Sequence, residues 1–303
     1  MIYTCTLNPS IDYFLDVNEF RTGQINRVKN DKKMPGGKGI NVSIVLKRLG
    51  VSSETLGFIG GFTGDFIKQA LVKEDIRTNF IEVSGDSRIN VKVKSDTETE
   101  INGHAPDITK ENIDQLFNQL KELTDQDILV LSGSVPESLP KTIYKDMMEV
   151  VSKKNVKVIV DTSGPAFNEV VTMKPFLIKP NHLELGDYFG VELTNVEDIV
   201  SHARKLIDLG VEHVIVSMGG KGALLVGKED AVFASAPKGQ VKNSVGAGDS
   251  VVGGFLAEYS VSGDIVKAFH NGAASGSATA FSVDLCTKED VEALLPEVKL
   301  SEV

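Results

Sequence analysis

Two cysteines in 303 residues, Cys5 and Cys286, lie far apart with no metal-binding spacing and are too few for a disulfide framework, which points to a reducing compartment. Apolar runs are short, and none reaches the length of a membrane span. The opening Met1-Ile2-Tyr3-Thr4-Cys5-Thr6-Leu7 lacks the basic leader and long apolar core of a signal peptide, so it reads as a buried strand and the protein as cytoplasmic. Positive charge is outnumbered: 32 Lys and Arg against 42 Asp and Glu leave a net charge of −10, and no basic patch is dense enough for nucleic acid. A polyanionic ligand must then be met by a few local Lys or Arg side chains. Internal repeats, low-complexity tracts and linkers are absent, which leaves one large α/β domain as the default for this length and apolar fraction.

What is present is an alternation of β-branched runs with amphipathic segments. Gly39 to Leu49 reads as a helix with Ile40, Val42, Val45, Leu46 and Leu49 at its apolar positions, followed by a strand from Ser53 to Ile59 and a helix from about Gly64 to Glu74. Ile128-Leu129-Val130-Leu131, Val156 to Val160 and His213 to Val216 suit strands buried on both faces of a parallel sheet. Helical patterns cover Thr109 to Leu123, Pro140 to Lys153, Val196 to Leu209, Gly246 to Tyr259, Asp264 to Ala280 and Thr287 to Leu294. The order predicts a three-layer α/β/α sandwich around a mostly parallel central sheet. Two stretches, 11–33 and 88–103, are polar and alternating instead, and turn residues at Ser95 and Asp96 predict a hairpin in the second. They are expected to form a small β-sheet that projects over a site at the rim, with an under-buried face that a second copy would cover.

Four turns are candidates for chemistry. In Asn243-Ser244-Val245-Gly246-Ala247-Gly248-Asp249-Ser250, the small residues Gly246, Ala247 and Gly248 let backbone N–H groups turn inward at a helix start, which binds anions. A carboxylate at Asp249 suits phosphoryl transfer, in which the hole holds the moving group and the acid accepts a hydroxyl proton. A first-turn acid complementing the helix dipole after a tight turn explains the same residues. Pro35-Gly36-Gly37-Lys38-Gly39-Ile40-Asn41 opens another helix and suits a phosphate or a sugar, but it lacks the ending of a Walker A loop. Lys179-Pro180-Asn181-His182-Leu183-Glu184 presents two oxygen ligands on one helical turn, which suits magnesium and equally suits a capping box. Ser217-Met218-Gly219-Gly220-Lys221-Gly222 offers donors to nucleotide phosphates or makes a hairpin turn. No stretch meets the dinucleotide fingerprint, which disfavours hydride transfer.

In order and spacing these four elements resemble the ribokinase-like, or phosphofructokinase B, carbohydrate kinases over essentially the whole chain. Pro35 to Gly50 resembles the family's N-terminal glycine motif, Asn181-x-x-Glu184 its Asn-x-x-Glu element, and Asn243 to Phe255 its C-terminal motif, with Asn243 where the family commonly has Asp. Thr6 to Asp12, Arg88 to Lys92, Glu100 to Gly103 and Leu131 to Pro136 resemble the sugar-phosphate branch, whose acceptors include fructose 1-phosphate and tagatose 6-phosphate. The resemblance implies a single kinase domain over 1–303, with ATP as donor and magnesium as its cation; potassium dependence stays open. It makes Asp249 the base and Gly246, Ala247 and Gly248 the anion hole. Lys179, Ser217, Gly219, Gly220 and Gly222 would line the nucleotide, and Asn181 and Glu184 would organise magnesium. Asp12, Gly36, Gly37 and Asn41 would orient the sugar, Lys38 and Arg88 would take its phosphate, and Asn90 and Ser134 would add neutral hydrogen bonds. The extended segments become a β-lid that closes over the sugar and forms a homodimer contact. A non-catalytic sugar-phosphate sensor on the same scaffold is the rival, and it has no need of Asp249.

Overall fold

Strands β1 (Ile2–Thr6), β2 (Ser10–Asp16) and β3 (Asn30–Gly36) lead into α1 (Lys38–Arg48), β4 (Ser53–Ile59) and α2 (Gly61–Lys73) in a computed structural model that describes residues 1–303. Then come β5 (Arg77–Thr78), β6 (Ile81–Glu82), β7 (Arg88–Lys94), β8 (Glu98–Asn102), α3 (Lys110–Lys121), β9 (Ile128–Ser132), α4 (Ile143–Ser152) and β10 (Lys157–Asp161). The second half runs α5 (Pro165–Val171), β11 (Leu177–Ile178), α6 (His182–Phe189), α7 (Val196–Asp208), β12 (His213–Ser217), β13 (Ala223–Val226) and β14 (Ala231–Ala234). It closes with α8 (Ala247–Ser262), α9 (Ile265–Phe281), α10 (Lys288–Leu294) and β15 (Leu300–Glu302).

The large sheet has the order β15-β14-β13-β12-β11-β10-β9-β1-β4-β5, with β6 also on β4. Pairs from β12 through β5 are parallel, and those from β12 to β15 antiparallel. Alternate strand residues face opposite layers: Leu129 and Leu131 join the core beneath α3 to α7, and Val130 joins the core beneath α1, α2, α8, α9 and α10. A parallel strand covered on both faces needs apolar residues throughout, and each buried Leu or Val adds about 1.5–3 kcal/mol on leaving water. The expected three-layer sandwich is therefore present. The antiparallel edge and the short α5 are additions, because alternation does not encode strand direction and seven residues are too few for a helical period to stand out.

The second sheet has the order β3-β2-β7-β8, with β2 parallel to β7 and the other pairs antiparallel. β7 and β8 form the expected hairpin. The extended reading of 11–33 holds only in part: β2 stops at Asp16, residues 17–29 are loop, and β3 runs on into Gly36. The small sheet thus delivers the glycine turn directly to the start of α1. On the opposite side, glycine brings α8 close to its neighbours. A Cβ on Gly253 would stand 2.8 Å from Val45 Cβ of α1, and one on Gly254 would stand 2.1 Å from Ser275 Oγ of α9.

Candidate active site

Asn8 past β1, Ser134 past β9, Asp161 ending β10, Lys179 past β11 and Ser217 ending β12 all lie at the carboxyl ends of parallel strands. Open α/β sheets hold their ligands in that crevice. The first turns of α1 and α8 meet there: Asn41 Nδ2 donates to Asp249 Oδ2 at 2.7 Å. Asn41, expected to orient a sugar hydroxyl, also holds the candidate base through its amide.

Gly246 caps α8 with φ +79 and no side-chain cap, and a Cβ there would stand 2.5 Å from Leu285 Cδ2. That left-handed turn is open to glycine at little cost. Asn243 Oδ1 accepts from Val245 N at 3.0 Å, so the amide in place of the family's usual Asp still shapes the turn. Ala247 N reaches back to Ser244 O at 3.3 Å and Ser250 N bonds Gly246 O, which leaves the N–H groups of Gly246, Gly248 and Asp249 as the free donors at the positive end of α8. The donors available for an anion are thus a slightly different set from Gly246, Ala247 and Gly248. Burial pushes the Asp249 carboxyl up to about 6, and Asp161 adds to this; Lys38, the Asn41 hydrogen bond and Lys179 pull the other way. A carboxyl in that range is ionised at neutral pH and still basic enough to take a hydroxyl proton.

Asp161 organises the cations. It is 1 % exposed, accepts from Lys38 Nζ at 2.8 Å through Oδ1, and lies 3.3 Å from Lys179 Nζ through Oδ2. Burial works against the charge on Lys38, but Asp161, then Asp249 and Glu184, hold its pKa above the ordinary lysine range. Burial likewise opposes charge on Asp161, and the two lysines outweigh it and lower its pKa. Lys38, expected to take the acceptor phosphate, is also paired with Asp161 in the centre of the site beside the candidate base. Lys179 is 4 % exposed, and its Nζ is 3.3 Å from where a Cβ on Gly248 would stand, against the anion hole.

The candidate acceptor wall is polar and comes from the small sheet and the ends of β1 and β9. Asp12 Oδ1 accepts from Ser10 Oγ at 2.8 Å and Asn90 Nδ2 at 3.3 Å, and a Cβ on Gly36 would stand 2.4 Å from Asp12 Oδ1. Gly37, at φ +123, carries the chain from the small sheet into α1. Arg88 is half-buried and donates from Nε to Asn8 O at 3.3 Å; burial lowers its pKa and nearby Asp12 raises it. Asn8 Nδ2 in turn donates to Ser134 Oγ at 3.2 Å. Arg88, Asn8 and Ser134 thus form one group, with the guanidinium Nη atoms left free of any salt bridge.

On the other side of the crevice, Asn181 and Glu184 form the capping box of α6. Asn181 Oδ1 accepts from Leu183 N and Glu184 N, and Glu184 Oε2 accepts from Asn181 N at 2.8 Å. The amide oxygen is spent on the helix, so Glu184 Oε1 is the oxygen left for a metal. Magnesium binds through one or two carboxylates and otherwise keeps water and substrate phosphates, and a half-buried carboxylate with one free oxygen fits that preference. Ser217 N donates to Pro180 O at 3.1 Å, which joins this cap to the turn after β12. In that turn Gly222 N is bonded to Gly219 O, and a Cβ on Gly222 would stand 2.2 Å from Ala234 O. Gly222 shapes the hairpin, whereas Gly219, Gly220 and Lys221 are exposed.

Residues 6–291 match the pfkB family of carbohydrate kinases. The chain belongs to this family. It is 53% identical over 301 residues to the 1-phosphofructokinase of Bacillus subtilis strain 168, covering 99% of both chains. It is 37% identical over 286 residues to a D-tagatose-1-phosphate kinase of Bacillus licheniformis, covering 94% of each. Among solved structures, phosphofructokinase-2 from Escherichia coli in complex with substrates and products superposes with a TM-score of 0.93 at 28% identity, over 97% of this chain and 98% of that one.

For a pfkB-family kinase, the residue that pattern reading passes over is Asp161. It ends Lys157-Val158-Ile159-Val160-Asp161, a plain buried strand, and has no glycine beside it to mark a turn. Its one available signal is its place at the carboxyl end of a central parallel strand. Asn8 and Ser10 lie in the segment Thr6 to Asp12 that resembles the sugar-phosphate branch, but the resemblance assigns a role only to Asp12 of that segment.

Proposed function

We propose that this chain is an ATP-dependent 1-phosphofructokinase, transferring the γ-phosphoryl group of ATP to fructose 1-phosphate to give fructose 1,6-bisphosphate and ADP. The observation that carries the chemistry is Asp249, held by Asn41 at 2.7 Å beside the free N–H groups that start α8. The full-length kinship with the Bacillus subtilis enzyme supports the acceptor. Asp249 takes the proton of the 6-hydroxyl as its oxygen attacks the γ-phosphorus, and the bond to the β-phosphate oxygen breaks. The N–H groups of Gly246, Gly248 and Asp249 hold the transferring group, with Lys179 beside them. Magnesium, held by Glu184 and water, would neutralise phosphate charge. Ser217, Gly219 and Gly220 support the nucleotide phosphates. Asp12 and Asn90 meet the sugar, and the small sheet closes over it to exclude water.

Arg88, with Asn8 and Ser134, is the pole for the acceptor's own phosphate. Arg88→Ala is expected to raise KM for the sugar phosphate by about tenfold to a hundredfold, the worth of a charge-assisted hydrogen bond, with KM for ATP little changed. Equal rises in both constants would remove Arg88 from the acceptor site.

The kinship with a D-tagatose-1-phosphate kinase supports a second acceptor, which differs from fructose 1-phosphate only in configuration at C4. Magnesium- and ATP-dependent ADP release, measured with fructose 1-phosphate, tagatose 1-phosphate, tagatose 6-phosphate, fructose 6-phosphate and ribose, separates these readings. The highest kcat/KM is expected with fructose 1-phosphate. Preference for a 6-phosphate overturns the acceptor, and binding without turnover on any sugar restores the sensor.

Residues 1–303 act in this reading as one kinase unit that pairs as a homodimer through the face of the small sheet turned away from Asp12. Ile89 and Ile101 lie there 38% and 56% exposed. Sedimentation should give a particle of about twice 32.7 kDa, and Ile101→Lys should shift it towards monomer. A monomeric wild-type protein would reject the pairing.

A further inference from the structure

We propose that Asp161 is a positioning residue for phosphoryl transfer: its buried carboxylate holds Lys38 and Lys179 as a pair, one cation from the acceptor turn and one from the donor side, against the transferring group. The proposal rests on the kinase reading above and names a residue outside the motifs that carry that reading.

A carboxylate buried beside an incoming phosphate is unfavourable unless something compensates it. Here two lysines do so, and they need it in return. Lysine carries its charge on a flexible stem and gives up its proton readily when buried. Two ammonium groups in one crevice also repel each other. A carboxylate between them offsets that repulsion and fixes their separation. The contacts are unequal: Lys38 Nζ makes a hydrogen bond to Oδ1 at 2.8 Å, whereas Oδ2 has no hydrogen bond although Lys179 Nζ is 3.3 Å away. Lys38 is thereby anchored next to the base, and Lys179 keeps N–H groups to turn towards phosphates over Gly248. Asp161 leaves the strand end by only its own short side chain, and its backbone carbonyl accepts from Gly133 N at 3.1 Å, so the pivot is rigid.

Asp161 also acts on Asp249. The groups around the base are Lys38 and Asn41 from α1, Asp161 from the end of β10, Lys179 from the end of β11, and Glu184 of α6 acting through Lys38; Asp12 and Asp284 line the same small cavity as Asn41. Replacing Asp161 by a neutral residue removes one of two buried negative charges and leaves the cations, so Asp249 ionises more easily.

The test is Asp161→Asn, with kcat, both KM values and the pH dependence of kcat measured beside wild type on fructose 1-phosphate and ATP. Wild type should lose activity as pH falls through about 6, where Asp249 gains its proton. The variant should lose about a hundredfold in kcat at pH 8, the scale of a misplacement by an ångström, with smaller changes in KM. Its acid limb should move to lower pH, which a loss of packing alone would not cause. A folded variant with kcat near wild type, or with an unmoved limb, overturns the proposal. If the asparagine variant does not fold, Asp161→Glu keeps the charge and displaces it by one methylene. It should lose kcat with the limb in place, and wild-type kcat there overturns the proposal equally. Wild-type protein without turnover on any sugar phosphate would refute the kinase reading instead, a separate result.

Discussion

Asp249→Asn is expected to lower kcat by about a hundredfold to ten-thousandfold, the usual worth of a positioned general base. That corresponds to roughly 3–5 kcal/mol of barrier. The substitution keeps the shape of the side chain and can keep a hydrogen bond with Asn41, so sugar-phosphate and ATP binding should change little. Stability should move the other way. The folded-state pKa of Asp249 is raised to about 6 from an ordinary 3.8, so folding favours its protonated form. Its contribution is fully present below the unfolded value and is lost as pH rises through about 6; at pH 8 wild type holds a buried charge at a cost. The neutral variant should therefore melt higher than wild type at pH 8, and the difference should shrink at pH 5. A variant with wild-type turnover would remove Asp249 as the base. One that is inactive because it is unfolded would fail the melting comparison and leave the role undecided only until Asp249→Glu is measured, since a displaced carboxylate should also lose kcat.

Gly57→Ala is the second large effect, and it acts on the frame. Gly57 in β4 pairs with Thr6 in β1 and has φ +134, a region that L side chains rarely adopt. A Cβ there would stand 2.0 Å from Thr6 O, a backbone atom that cannot swing aside. The conformation costs about 1–3 kcal/mol, and the forced separation of two central strands about as much again. A total near 4 kcal/mol is a large share of the roughly 5–15 kcal/mol that holds most domains folded. At about 2–4 °C per kcal/mol for a large domain, the melting temperature should fall by about 10 °C. Thr6 leads directly into Asn8, Ser10 and Asp12, so the surviving folded fraction should also bind sugar phosphate more weakly. A melting temperature within about 2 °C of wild type would show that β1 and β4 have slack at this point.

These cases mark what could be read in the residues and what could not. The hairpin of β7 and β8 was legible because alternation and the Ser95-Asp96 turn are local signals, and the start of α8 was legible because three small residues before an apolar helix have few other uses. Asn41 was legible as part of a glycine turn, but its partner lies 208 residues away, and no periodicity reports such a distance. Lys38 was legible as a cation in a glycine turn, but its ion pair with Asp161, 123 residues away, was not. Asn181 and Glu184 were ambiguous between ligand and cap, and the fold uses the amide oxygen as a cap while sparing one carboxylate oxygen. The antiparallel edge from β12 to β15 escaped because short apolar runs look alike whichever way they point.

The position of β1 between β9 and β4 has a consequence for synthesis on the ribosome. The strand made first occupies the interior of the sheet, and later strands are laid down outward on both sides of it. Asn8, Asp12 and Lys38 at one side of the crevice emerge early, but Asp249 is among the last third of the chain to appear. In the proposed reading, a nascent chain therefore has the walls of its acceptor pocket before it has a base, which it gains only when the final helices settle against the first one.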